Sequence, residues 1–280
     1  KVTPELDKQE ALKKTFLTIF QSPQHMKDWI LEFLKIDFPS VHIDPDSNSS
    51  PLEAMYEAYA TYRDDLCLKV PGFIWLSSRD SYKTLSGSIL NIILMIHFKA
   101  QISHLAAVKK QAEKSLFYCN QAIERLKPYL EMVGRKVVTE SKSKIQIKNE
   151  DKTTSYIDVV VANLAGGNSE HCPVATYDEI DTLSPQGLVG YKEAQLIPTR
   201  YLDKWGPITI KFSTRKFAFG IFEKEIQNHE KTGERLLRWN IIDVTQKCKP
   251  DRHMPDLPKV TRFISKSLPL SNISFQEYSA

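Results

Sequence analysis

The chain has 280 residues, of which 41% are hydrophobic and 26% are charged, and it contains 15 Pro and 10 Gly. This is the composition of a globular protein, and it excludes collagen-like, mucin-like and fully disordered chains. The net charge of +4 permits a polyanionic partner without requiring one. The longest apolar stretch, residues 89–98, is much shorter than the roughly 20 residues of a membrane span, so we expect no association with a membrane.

Cysteine usage and the N-terminus bear on where the protein works. The cysteines are widely separated and include no CxxC pair, which is typical of reduced thiols in a cytosolic protein. A zinc site is disfavoured, because it would have to join His171 and Cys172 to a distant Cys248 and His253 pair. The first residues lack the apolar core of a secretion signal and do not begin with Met, so we expect a fragment or a chain that has lost its first residues.

The predicted elements change in character along the chain. Apolar residues at three- and four-residue spacings predict helices over residues 10–20 and 24–35, and a turn-rich linker over 44–51 precedes a third helix over 52–65. The predicted strands then cover residues 73–76, 102–108, 144–148, 156–162, 173–177 and 208–212. The helices between them begin near 84, cover 109–130 with a stop near Pro128, and cover 217–228. This alternation indicates a mostly parallel sheet with helices on both faces.

The loop after the first of these strands, Ser-Ser-Arg-Asp-Ser-Tyr-Lys-Thr, partly fits a phosphate-binding loop. In the pattern G-x-x-x-x-G-K-[ST] the glycines let backbone N–H groups surround the phosphates, the Lys reaches the terminal phosphates and the hydroxyl holds Mg²⁺. Lys83 and Thr84 fit this pattern, whereas Ser77 and Tyr82 occupy both glycine positions. Arg79 is a second cation in the same loop and would replace part of the lost electrostatic contribution. A solvated helix start is the alternative.

Polar residues also follow two later strands. Asp178 and Glu179 end a buried strand, where the first would hold Mg²⁺ and the second would polarise an attacking water. A solvated turn is the alternative for this pair, and we expect Asp181 to be a surface residue or a helix cap. The last predicted strand ends in Ser213 and Thr214, whose hydroxyls would sense a γ-phosphate beside them.

Two further groups of residues have a structural and a functional interpretation. Tyrosines at helical spacing before the first strand, with an arginine beside them, favour core packing over an adenine site: Tyr56, Tyr59, Tyr62 and Arg63. A basic helix face favours exposure to solvent over contact with DNA: Lys109, Lys110 and Lys114.

Taken in order, these elements resemble the ATPase domain of the large terminase subunit of tailed bacteriophages, the motor that packs DNA into the prohead. The matching elements are the Arg-x-x-x-Lys-Thr loop at 79–84, a strand and glycine loop at 160–168, His-Cys-Pro at 171–173, the Asp-Glu pair, Tyr-Lys-Glu-Ala at 191–194 followed by Pro198, and the Ser-Thr pair. The resemblance spans residues 50–245. It implies an α/β, additional-strand, RecA-like P-loop ATPase fold with an N-terminal helical segment.

The resemblance also implies a role for each site residue. Lys83 would bind the β- and γ-phosphates, Thr84 and Asp178 would hold Mg²⁺, and Glu179 would be the catalytic carboxylate, with Arg79 as a loop cation that responds to the γ-phosphate. The implied ATP-binding residues are Ser78, Arg79, Asp80, Ser81, Tyr82, Lys83 and Thr84, and the implied coupling residues are Ser213 and Thr214. Tyr82 departs from the small residue usual before the Lys, so weak ATPase activity is expected of the isolated chain.

The expected function is ATP hydrolysis that drives double-stranded viral DNA into a prohead, in the cytoplasm of an infected bacterial host. The alternatives are a helicase-like ATPase and a degenerate, non-hydrolysing P-loop module. Implied partners are DNA, the portal protein, the small terminase subunit and further copies in a ring, with Arg200 or Arg215 donated to a neighbour's ATP. We expect a helical lid over 1–50, an ATPase core over 51–235 and a junction over 236–280. No acidic cluster follows Asp251, so we expect the nuclease domain to be absent.

Overall fold

The computed structural model of the chain describes residues 4–40, 49–141, 143–162, 172–196, 198, 206–241 and 244. Its centre is an eight-stranded sheet with the order β3-β4-β5-β2-β6-β7-β1-β8. The strands are β1 Gly72–Ser77, β2 Gln101–Ala106, β3 Lys136–Glu140, β4 Lys144–Lys148, β5 Thr154–Val161, β6 Val174–Asp178, β7 Ile208–Ser213 and β8 Arg235–Trp239. All pairs from β5 to β8 are parallel, and β3, β4 and β5 pair antiparallel, so the sheet is mostly parallel as predicted.

Seven helices belong to the described residues. They are α1 Pro4–Leu17, α2 Pro23–Leu34, α3 Pro51–Arg63, α4 Lys83–Phe98, α5 Lys109–Met132, α6 Pro185–Ala194 and α7 Ile221–Thr232. Of these helices, none is long and apolar enough to cross a membrane.

The core has two layers because side chains alternate between the faces of each strand. Phe73 and Trp75 of β1 pack with α1 to α5 on one face, whereas Ile74 packs with α6 and α7 on the other. The N-terminal helices join the first layer through Phe16 and Trp29. The described part of this helical segment therefore packs directly on the central domain.

Helix α4 is the element that fixes the position of the phosphate-loop candidate. It is buried on nearly all sides, as expected for a helix whose surface is apolar all round. At Gly87 the helix lies so close to β7 that an added Cβ would be 2.6 Å from Cζ of Phe212. This close packing brings the first turn of α4 down to the carboxyl end of the sheet.

Several predicted boundaries were wrong. Pro128 does not end its helix, since α5 continues to Met132 with Leu126 and Leu130 fully buried on either side of the proline. That packing compensates for the proline, which interrupts the helix hydrogen bonding at a cost of about 3 kcal/mol. The last helix begins at Ile221 rather than at residue 217. Strands β3 and β8 and helix α6 were not predicted. Because β8 pairs with β1, residues 236–239 belong to the sheet and not to the expected junction.

Candidate active site

The predicted lysine–threonine and aspartate–glutamate pairs lie together in the structure. Strands β1 and β6 both neighbour β7 in parallel, so their carboxyl ends meet at one edge of the sheet. Nζ of Lys83 lies 2.7 Å from Oε1 of Glu179. The Thr84 hydroxyl donates to Oδ2 of Asp178 at 3.2 Å. Two segments almost a hundred residues apart in the sequence thus form one cluster of ionisable side chains.

Lys83 is the centre of this cluster. Its side chain is only 7% exposed, and besides Glu179 its Nζ donates to the Thr214 hydroxyl at 3.0 Å and to the Ser78 carbonyl at 3.5 Å. The contact with Thr214 brings one of the two predicted coupling hydroxyls to the site. The other, Ser213, instead accepts from the backbone N–H of Asp181 at 3.4 Å.

Asp178 has the features of a cation ligand. It is fully buried, and burial raises the pKa of its carboxyl group to about 7, although Lys83 opposes this rise. Oδ2 accepts hydrogen bonds from Thr84 and, at 3.4 Å, from Ser115 of α5. Oδ1 is buried without a hydrogen-bond partner among the described residues. A buried carboxylate oxygen without a donor, next to a threonine hydroxyl, fits Mg²⁺, which prefers oxygen ligands.

Glu179 is held as an ionised carboxylate between two lysines. Burial acts to raise its pKa, but Lys83 and Lys216 outweigh this and hold the pKa of Glu179 below its usual range. Nζ of Lys216 lies 3.1 Å from Oε2. The backbone of Glu179 has a left-handed φ of 55° and donates its N–H to the carbonyl of Phe212 at 2.8 Å. The carboxylate is therefore ionised at neutral pH, as a proton acceptor must be, and loss of the Lys83 contact would raise its pKa and make it a stronger base.

The loop before α4 is fixed by side chains rather than by glycines. The Ser81 hydroxyl donates to the Ser78 carbonyl at 2.6 Å, and the indole N–H of Trp239 donates to the Ser81 carbonyl at 2.6 Å. The backbone N–H of Ile241 donates to the Ser78 hydroxyl at 2.8 Å. Strand β8 therefore anchors a loop that lacks both glycines of the usual pattern.

Tyr82 adopts the backbone conformation that glycine usually supplies. Its φ is 73°, in the left-handed region, and Asp80 has a φ of 58°. The ring of Tyr82 packs edge-to-face on Phe38, with the centroids 5.6 Å apart. Tyr82 is also the residue before the first turn of α4 and provides no side-chain cap. The first N–H groups of α4 thus have no capping side chain, and this end of the helix suits an anion.

We expect Tyr82→Gly to be more stable than Tyr82→Ala by about 1 kcal/mol, because both lose the ring but only glycine tolerates φ of 73° without strain. Urea unfolding of the two variants measures the difference. An alanine variant that equals or exceeds the glycine variant in stability would show that the left-handed turn is not maintained.

A cleft of about 230 Å³ opens beside this loop. It is lined by residues of the loop and of the start of α4, and by two residues of α5: Asp80, Ser81, Tyr82, Lys83, Thr84, Leu85, Lys114 and Tyr118. Lys114, expected on a solvated helix face, is exposed and lines the cleft. The side chain of Arg79 is exposed and has no hydrogen bond or ion pair within the described part of the chain, so the structure does not bring it into the cluster.

Asp181 is not a surface residue, which corrects one of the two expectations for it. It is buried, and its carboxylate accepts from the backbone N–H groups of Lys216 at 2.6 Å, Phe217 at 3.0 Å and Phe222 at 3.3 Å. Phe222 lies in the first turn of α7. Asp181 therefore caps a helix far from it in sequence and fixes the connection that carries Lys216.

Sequence reasoning missed Lys216 and Ser115, since neither lies in a local pattern that indicates a site.

Of the other candidates, Tyr59 and Tyr62 are buried in the core, as predicted. Arg215 pairs with Glu223 at 3.0 Å. The described residues contain no group of three or more side chains that could hold zinc. The glycine loop beyond Ala162 lies outside the described residues, as do His171, Arg200, Cys248 and His253.

No family model matches the sequence, and no curated protein sequence matches it. Solved structures do match its fold. The large terminase of the HK97 bacteriophage aligns with a TM-score of 0.57 at 13% identity, covering 88% of this chain and 52% of that one. The ATPase domain of the Thermus phage P74-26 large terminase aligns with a TM-score of 0.53 at 12% identity, covering 78% of this chain and 88% of that one.

A large terminase from a thermophilic bacteriophage, in complex with ADP, aligns with a TM-score of 0.51 at 12% identity and covers 78% of this chain. The chain spans about half the length of this terminase and of the HK97 protein, with 50% and 52% covered. Identities this low establish similarity of fold alone. The chain therefore has the α/β P-loop fold of the ATPase domain of phage large terminases.

Proposed function

We propose that the chain is a Mg²⁺-dependent ATPase. The observation that supports this most strongly is the convergence of Lys83 with Glu179 and of Thr84 with Asp178 at one end of the sheet, beside an uncapped helix N-terminus. This arrangement combines a lysine that can bind phosphate, oxygen ligands that can bind a metal cation, and a carboxylate that can act as a base. The terminase neighbours bound to ADP and to ATP-γ-S support nucleotide as the ligand.

The side chains have distinct roles in this proposal. Thr84 and Asp178 would hold Mg²⁺, which when bound neutralises charge on the phosphates. Lys83 would leave Glu179 for the β- and γ-phosphates. Its departure frees Oε1 of Glu179, which accepts a proton from water as the water oxygen bonds to the γ-phosphorus. The bond between that phosphorus and the β,γ-bridging oxygen breaks, and ADP leaves with its electron pair.

The ion pair between Lys83 and Glu179 has a consequence for the free chain. Nζ of Lys83 and Oε1 of Glu179 are 2.7 Å apart and both side chains are buried, so the two charges neutralise each other until nucleotide binds. Nucleotide binding must separate them, and this raises the concentration of ATP needed to saturate the site. The proposal is consistent with the weak activity expected of the isolated chain.

The finer proposal is that hydrolysis drives double-stranded DNA into a prohead in the infected cell, with portal protein, small terminase subunit and further copies of the chain as partners. The shared fold with terminase ATPase domains supports it. DNA contact would be through phosphates and would weaken steeply with salt. The rival helicase-like activity predicts displacement of one strand from a forked duplex, whereas a packaging motor leaves the duplex intact.

Release of phosphate from Mg-ATP by the purified chain tests the proposal, with EDTA and a non-hydrolysable analogue as controls. Thermal unfolding with and without Mg-ATP accompanies the assay. We expect phosphate release that EDTA abolishes and an increase in stability of about RT ln(1 + [L]/Kd). A stability increase without turnover would favour the non-hydrolysing module. The absence of both phosphate release and thermal stabilisation at millimolar nucleotide would contradict the ATPase proposal.

A further inference from the structure

The carboxylate of Glu179 has a different lysine at each oxygen. Nζ of Lys83 contacts Oε1 at 2.7 Å, and Nζ of Lys216 lies 3.1 Å from Oε2 as an ion pair, while Oε2 accepts no hydrogen bond from the described residues. The side chains of Lys83 and Glu179 are 7% and 9% exposed, and that of Lys216 is 22% exposed. The third charged group that faces Glu179 is Asp178, with which it shares the end of β6. Once Lys83 turns to phosphate, Lys216 is the cation that remains on the carboxylate.

The backbone of Lys216 is fixed relative to Glu179. Oδ2 of Asp181 accepts from the N–H groups of Lys216 and Phe217, and Oδ1 accepts from Phe222 at the start of α7. Gly220 permits this approach, since an added Cβ would lie 2.1 Å from Oδ1. Asp181 follows Glu179 by two residues in the short 3-10 helix Ile180–Thr182. The same segment therefore holds the carboxylate and the loop that brings the lysine to it.

We propose that Lys216 is a positioning residue, which holds Glu179 in the orientation that activates water after Lys83 has moved to the nucleotide. This inference rests on the proposed ATPase function. Lys216 retains Oε2, so Oε1, released by Lys83, becomes the oxygen that accepts the proton of the attacking water. Glu179 also has a left-handed φ of 55°, a strained backbone conformation for a non-glycine residue, which adds to the need for a fixed partner. Lys216 itself does not contact the nucleotide.

Steady-state kinetics of Lys216→Met test this role. We expect kcat to fall about 10- to 100-fold while KM for ATP changes less than about 3-fold, because misplacement of the base affects the transition state and not the bound ground state. Lys216→Arg, which keeps the cation, is expected to recover most of the rate. Lys224→Met, a change to an exposed lysine of α7, serves as the matched control and is expected to behave as the parent.

A double-variant cycle separates positioning from a merely structural contribution. Because Lys216 acts through the carboxylate, Lys216→Met is expected to cause no further loss of kcat in a Glu179→Gln background. The increase in thermal stability with Mg-ATP-γ-S, measured for each variant, shows that the site is folded and binds. If Lys216→Met does not fold, Lys216→Gln, which is polar but removes the positive charge, takes its place with the same expected loss.

A parental kcat in folded Lys216→Met would overturn the inference. It would also be overturned if Lys216→Met lowered kcat by the same factor in the Glu179→Gln background as in the parent. A raised KM at unchanged kcat would instead make Lys216 a ligand of the nucleotide, and this also overturns it. These outcomes leave the ATPase proposal standing, since the parent chain is active in each. An inactive parent chain would contradict the ATPase proposal, and the role of Lys216 with it.

Discussion

Glu179→Gln is expected to lower the turnover of ATP by about 100- to 10,000-fold, the range typical of losing a general base, while ATP still binds. Glutamine has nearly the same size as glutamate and can remain between Lys83 and Lys216, but its amide cannot accept the proton of the attacking water. Loss of the negative charge also removes the ion pair that competes with phosphate for Lys83. We therefore expect Glu179→Gln to bind ATP at least as tightly as the parent chain.

Phosphate release and the thermal shift with Mg-ATP measure the two effects of Glu179→Gln separately. Lys83→Ala is the contrasting variant, because it removes the phosphate cation and is expected to lose both the thermal shift and turnover. Turnover of Glu179→Gln at the parental rate would show that another group activates the water. Retained nucleotide binding by Lys83→Ala would show that the phosphates bind elsewhere.

Asp178→Asn is expected to stabilise the free chain at pH 8 by a few kcal/mol, while it abolishes the stabilisation by Mg-ATP. Burial raises the pKa of Asp178 from 3.8 to about 7, and each pKa unit corresponds to about 1.36 kcal/mol. The folded chain holds this proton where the unfolded chain has lost it. Folding stability therefore falls as pH rises from about 4 to about 7, and asparagine avoids that loss.

Urea unfolding of the parent chain and Asp178→Asn between pH 4 and pH 8 measures this difference. Glu179 contributes with the opposite sign, since its lowered pKa makes stability fall as pH drops below its ordinary value of 4.5. Both proteins carry Glu179, so the difference between them measures Asp178 together with its electrostatic effect on Glu179. A difference that does not change with pH would show that burial does not raise the pKa of Asp178. Stabilisation of Asp178→Asn by Mg-ATP would remove Asp178 from the cation site.

The part of the site that could be predicted from sequence is the part fixed by sheet topology. Lys83 begins a helix after one buried strand, and Asp178 ends another. In a parallel sheet covered by helices, the carboxyl ends of such strands share an edge. That rule places both segments at the carboxyl end of the sheet. Their closeness depends on the strand order, in which only β7 separates β1 from β6, and that order was not predicted.

The residues that sequence reasoning missed depend on tertiary contacts. Lys216 reaches Glu179 only because Asp181 binds the backbone of the connection before α7. Trp239 fixes the phosphate-loop candidate from β8, whose sequence Arg-Leu-Leu-Arg-Trp does not alternate between apolar and polar residues. Neither arrangement follows from the spacing of residues in the sequence. The misplaced helix end at Pro128 has the same origin, since packing of α5 outweighs a local signal.

A crystal structure of the chain with Mg²⁺ and ATP-γ-S is the most direct test that these side chains form one nucleotide site. We expect the terminal phosphates at Nζ of Lys83 and the first turn of α4, the cation at Thr84 and Asp178, and Glu179 separated from Lys83 but still paired with Lys216. A nucleotide bound elsewhere, with the contact between Lys83 and Glu179 still in place, would contradict the assignment of this cluster as an ATPase site.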